Sequence, residues 1–234
     1  MAKLNRKSLK RNLFVEEVGH QVGYLTEHRN TVILAGAIAL ALIVGAGSFW
    51  SYQQAKTVES RQALNKAVDL FHGSVSLENR PGYINYATTL ERIRRVSEAM
   101  EAIIADYSGR PQSTAAEYYL GLLDSEQDKA EEATKRFQTA INGSDAEYAA
   151  LARMALGDML HQSGKSDDAR KHYDQLIAKP TRVVPKGRAQ IALAHTYASS
   201  DPAKAREILT EVQQEAGPAG ILAATALQEL MEGS

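Results

Sequence analysis

Side chains able to do covalent or metal chemistry are few in this 234-residue sequence. There are six histidines and no cysteine, which excludes disulfides, thiolate metal sites and a thiol nucleophile. No two histidines stand at the spacing of a metal-binding pair. There is no G-x-S-x-G, no H-E-x-x-H, no phosphate-binding glycine loop and no dinucleotide fingerprint. No catalytic residue, metal ligand, cofactor or small-molecule substrate is therefore expected. Asn142-Gly143-Ser144 matches a glycosylation sequon, but Asn-Gly is also turn chemistry, and it reads as a break between helices. What remains is recognition, and that depends on which elements present the side chains.

Those elements repeat. In Ala115–Ile141, Leu120-Gly121 is followed by Ala133, Phe137 and Ala140. Leu156-Gly157, Ala169 and Tyr173 return to the same places 36 residues later, with Gly164 in the intervening turn. A weaker copy runs through Leu193-Ala194, Tyr197, Ala205 and Leu209, with a turn at Ser199–Pro202 that is one residue shorter. Upstream, Ala99 and Ile103 precede Ala133 and Phe137 by 34 residues and mark the second helix of an earlier copy, whose first helix lies near Ser60–Phe71. A small residue suits the point where two helices approach to about 8–10 Å, and a large one fills the space toward the next pair. No single pair can bury its apolar face alone, so the pairs must stack. The spacing predicts helices over 84–107, 112–124, 128–142, 145–162, 166–178, 185–199, 202–215 and 218–231, the last of them a terminal cap.

This pattern resembles the tetratricopeptide repeat. The resemblance implies that the first helix of each pair lines a partner groove, at positions around each Leu-Gly. Here those are Tyr118, Leu122 and Ser125; Met154, Asp158 and His161; Ile191, His195 and Ala198. The strip is mixed apolar and polar and lacks the Lys/Asn set that would clamp a carboxylate. His161 and His195 are placed to face one another across neighbouring repeats.

Ahead of the repeats, no charged residue occurs from Asn30 to Ala55. Thr31–Trp50 supplies twenty residues, about 30 Å of helix, which matches the hydrocarbon thickness of a bilayer. Nine of the twenty are Val, Ile, Leu or Phe, worth about 0.3–0.6 kcal/mol each toward insertion. Trp50 and Tyr52 suit an interface, and Ala37, Ala41 and Gly45 form a small-residue row. A helix continuing from this span toward Phe71 is expected. Residues 1–29 hold six Lys/Arg against three Glu, and the remainder 21 Lys/Arg against 25 Asp/Glu. A basic head before the span favours an N-terminus inside. Phe14, Val18, Val22 and Leu25 fall on one helical face of that head. The net charge of −1 gives no reason to expect nucleic-acid binding.

The expected architecture is all-α: a basic tail (1–30), a single transmembrane helix (31–52), a juxtamembrane helix with an irregular insertion (53–83), and a tetratricopeptide-like solenoid of three to four helix pairs (84–234). A short tail, one span ending Trp50-Ser51-Tyr52-Gln53-Gln54, a helix rich in Ser60, Ala63 and Ala67, then degenerate repeats: this layout resembles the YfgM-type ancillary subunits of the bacterial SecYEG translocon. The resemblance implies a single-pass inner-membrane protein with periplasmic repeats. Its partners would be the translocon, periplasmic chaperones or emerging chains. The alternative is a periplasmic or envelope-biogenesis repeat protein released by signal-peptide cleavage near Val44–Ala46.

Overall fold

The computed structural model describes residues 29–76, 84–215 and 217–232, and the basic tail with its Phe14–Leu25 pattern lies outside them. Nine helices and one two-stranded ribbon occur among the described residues. They are α1 (Arg29–Phe71), β1 (Ser74–Val75), β2 (Asn85–Tyr86), α2 (Thr89–Asp106), α3 (Pro111–Ser125), α4 (Ala130–Ile141), α5 (Ala146–Gln162), α6 (Ser166–Ala178), α7 (Lys186–Tyr197), α8 (Pro202–Gln213) and α9 (Pro218–Glu232). The chain divides into two compact units, residues 1–58 and 59–234.

In the first unit, the Thr31–Trp50 stretch of α1 is apolar on every side and none of the described residues covers it: Ile38, Leu40, Leu42, Ile43 and Phe49 are all more than half exposed. A helix that is apolar all round belongs in a core or in lipid. It is the one helix among the described residues long and apolar enough to cross a membrane.

In the second unit the helices stack as hairpins: Glu59–Phe71 with α2, α3 with α4, α5 with α6, α7 with α8, and α9 against the last pair. Leu64, Ala67 and Phe71 share a core with Val96, Met100, Ile103 and Leu120. Buried Ser60 donates to Gln112 Oε1 at 3.0 Å, which satisfies two polar groups that burial would otherwise penalise. The Arg92 guanidinium donates to Phe71 O from Nε and Nη2 at 3.3 and 3.1 Å, closing the C-terminus of α1.

Helix α2 starts at Thr89, five residues later than the periodicity predicts, because two local signals override it. Thr88 caps the helix by accepting from Glu91 N–H, and Glu91 reaches back to Ala87 N–H. Just upstream, β2 pairs in parallel with β1, Ser74 opposite Asn85 and Val75 opposite Tyr86. Tyr86 is fully buried and donates to Leu70 O at 2.8 Å, so the ends of the insertion are fastened to the first hairpin.

The repeat register appears in paired contacts. A Cβ on Gly121 would sit 2.6 Å from the Phe137 ring, and one on Gly157 would sit 2.7 Å from the Tyr173 ring. The turns also repeat: Lys129 N–H donates to Asp124 O and Asp128 N–H to Ser125 O, and 36 residues on Lys165 donates to Leu160 O and Gly164 to His161 O. Both are helix-ending loops that require a left-handed residue. Asp128 has φ 59° and Gly164 φ 79°. An L side chain is strained there, so Asp128→Gly is expected to stabilise the repeats by about 0.5 kcal/mol and Gly164→Ala to cost about 1–2 kcal/mol. Urea unfolding of the two variants checks both signs.

The weaker third copy departs from strict periodicity for a visible reason. Between α6 and α7 the chain forms a longer loop in which Val184 is fully buried and Thr181 N–H donates to Val184 O at 3.0 Å. Asp201 then caps α8 through Lys204 N–H, with Pro202 at its first turn.

Candidate partner-binding face

The first helices α3, α5 and α7 pack side by side, so their outward side chains form one continuous face. Tyr118, Leu122, Asp158, His161 and Ile191 are half-buried on these helices, and Ser125 and His195 are exposed. Met154 sits deeper. It is 6 % exposed and packs in the core with Tyr173 and Leu176, so it supports the face from behind.

The position rule misses half of what the face presents. Tyr118 and Tyr119 on α3 and Tyr148 on α5 stand ring against ring, with centroids 5.2–6.0 Å apart, and Phe71 extends the group at 5.0 Å from Tyr119. The Tyr118-Tyr119 doublet is visible in the sequence, but choosing one residue per turn selects only Tyr118. Burial raises the pKa values of Tyr118 and Tyr148, so both keep their hydroxyl protons. Half-buried tyrosines with rigid rings and a polar tip are the side chains that anchor protein partners best.

Beyond the tyrosines lies a polar centre. Tyr173, buried on α6, donates its hydroxyl to Asp158 Oδ1 at 2.7 Å. Burial raises the Asp158 carboxyl above the usual carboxylate range. The Tyr173 hydrogen bond, Arg188, His161 and His195 pull it back down. Burial also pushes the Tyr173 hydroxyl well above its ordinary value. In the preceding repeat, Leu122 and Phe137 occupy the matching places. Tyr173→Phe is expected to cost about 1–3 kcal/mol, because it strips a half-buried carboxylate of its donor. Asp158→Leu combined with Tyr173→Phe is expected to return to within about 1 kcal/mol of the parent, since it removes both partners.

The raised carboxyl also sets a pH dependence. Its contribution to folding is complete below the unfolded pKa and is lost as pH rises through the higher folded value. Asp158→Asn is therefore expected to stabilise most at neutral pH and not at all in acid, as thermal melts across pH will show.

His161 and His195 line one cavity of about 460 Å³ with Lys165, Asp167, Arg170 and Ser200. Arg170 is not free there. It donates to Thr196 O at 2.8 Å and stacks on the Tyr197 ring at 3.9 Å, tying α6 to α7. His161 Nδ1 lies 3.0 Å from Ser166 Oγ. Among the described residues, no group of three or more His, Asp or Glu side chains is placed to hold a metal ion.

Stacked helical hairpins with glycine against an aromatic ring at two successive crossings, and a tyrosine-rich face on their first helices, define an interaction scaffold of the α-repeat class. A tetratricopeptide repeat-like domain model matches residues 23–179, two thirds of the chain, and the protein belongs to that family. No curated protein and no solved structure matches it.

Proposed function

We propose that the protein is a membrane-anchored scaffold that binds protein segments on the face of α3, α5 and α7. The observation that carries this reading is the run of half-buried tyrosines and the Asp158 centre on one accessible face. The uncovered apolar stretch of α1 supports the anchor, with Thr31–Trp50 as the membrane-crossing part. The basic tail ahead of it favours an N-terminus in the cytoplasm and repeats in the periplasm of a bacterial inner membrane.

Within that class, the layout of tail, span and degenerate repeats favours an ancillary role at the Sec translocon. The repeats would reach periplasmic chaperones or emerging chains. The test is to purify the full-length chain from its own membranes in mild detergent and identify what accompanies it. Translocon subunits that disappear when Thr31–Trp50 is exchanged for an unrelated span would support the role. Recovery of other envelope proteins without the translocon would refute it and leave the anchored scaffold standing.

A further inference from the structure

At one place the repeats pack differently. Where α3 meets α4 the pair is Leu122 and Phe137, where α5 meets α6 it is Asp158 held by Tyr173, and His195 stands at the matching place of the third copy. The α3–α4 pair shows that apolar side chains suffice for stacking at this place. An ionised carboxylate there costs desolvation. Its retention calls for a use that stacking does not supply.

The geometry says what that use is. Tyr173 donates to Oδ1 and so restrains the carboxylate of Asp158, a half-buried residue on α5. A carboxylate only accepts hydrogen bonds, so its partner must be a donor. Among the described residues no Lys, Arg or His forms an ion pair with Asp158. Arg188 is engaged at Val183 O and His161 at Ser166, while His195 stands exposed. From farther off, Arg188, His161 and His195 favour the charged carboxylate, against the burial that raises it. Tyr118, half-buried on α3, belongs to the neighbouring first helix.

We propose that Asp158 is the specificity residue of this face, binding a lysine or arginine of an extended partner segment whose neighbouring apolar side chain packs on Tyr118 and Tyr148. This rests on the reading of α3, α5 and α7 as the partner surface. The carboxylate supplies charge complementarity, the tyrosine ring favours a cation above it, and a neutral residue in the same place leaves a half-buried charge unpaired.

Two short fluorescent peptides, identical and apolar except for a central Lys or Gln, are titrated against the full-length chain in mild detergent. The Lys peptide is expected to bind about tenfold more tightly than the Gln peptide. In Asp158→Asn, and separately in Asp158→Leu with Tyr173→Phe, that ratio is expected to fall to about twofold or less, with thermal melts confirming both folds. Equal binding of the two peptides to the parent chain, or a Lys preference that survives both variants, overturns the proposal while the face still binds peptide. Failure of both peptides to bind overturns the proposal and the partner-surface reading together.

Discussion

Phe137→Ala is expected to destabilise the repeats by about 3–5 kcal/mol, a large part of what a domain of this kind possesses. The ring is 1 % exposed and fills the space left by Gly121, inside a cluster with Ala133, Ala140, Ala152 and Leu156. Helices α3, α4 and α5 all lean on it, so none of them can close the cavity without disturbing the others. The comparison is Leu90→Ala on α2, where the side chain is 75 % exposed and a change within about 0.5 kcal/mol is expected. Urea unfolding followed by circular dichroism separates the two. A Phe137→Ala midpoint as close to the parent as that of Leu90→Ala would contradict the stacked-hairpin packing.

Leu40→Arg is expected to release the chain from membranes. An arginine at the centre of a span costs about 2.5–3.5 kcal/mol on insertion scales, and the lost leucine adds about 0.5 kcal/mol. The nine large apolar residues of Thr31–Trp50 together supply only several kcal/mol, so one such change removes most of the preference for lipid. Leu40 is 64 % exposed and belongs to the unit of residues 1–58, so the repeats should keep their helicity and melting temperature. Alkaline extraction and flotation of membranes read the release. A Leu40→Arg chain that still floats with lipid would show that Thr31–Trp50 is not the anchor.

The repeat pairs were legible because small-against-large contacts recur at a fixed offset, and the structure places a glycine against an aromatic ring at both strong copies. The helix ends were legible where Pro or Gly marks them. The left-handed turn at Asp128 was less visible, since aspartate does not announce a positive φ as Gly164 does. The start of α2 was misjudged because apolar Ile84 and Tyr86 extend its periodicity, although Thr88 and Glu91 spell a helix cap. Tyr86 belongs to the first hairpin's core for a reason no local pattern contains: its hydroxyl finds Leu70 O sixteen residues back.

Spacing from Leu-Gly places Tyr118, Leu122, Asp158 and His195 on the accessible side of the first helices, and their burial agrees, but it also counts Met154 as open, where the structure buries it. The side chain there turns inward between α5 and α6. Spacing also gave no hint of Tyr119, Tyr148 or Arg188, which reach the face from neighbouring turns and helices. Nor did it show that Asp158 is held by Tyr173, although the Leu122-to-Asp158 and Phe137-to-Tyr173 exchanges at one offset were there to be compared.

A face on α3, α5 and α7 that meets a protein partner should be reachable by that partner in the membrane. The direct measurement is photo-crosslinking in native membranes, with a photoreactive residue replacing Leu122 or Ile191 on that face, or Lys171 on the exposed side of α6. Discrete protein adducts from Leu122 and Ile191, and none from Lys171, are the predicted result. Adducts from Lys171 alone, or equally from all three positions, would contradict it.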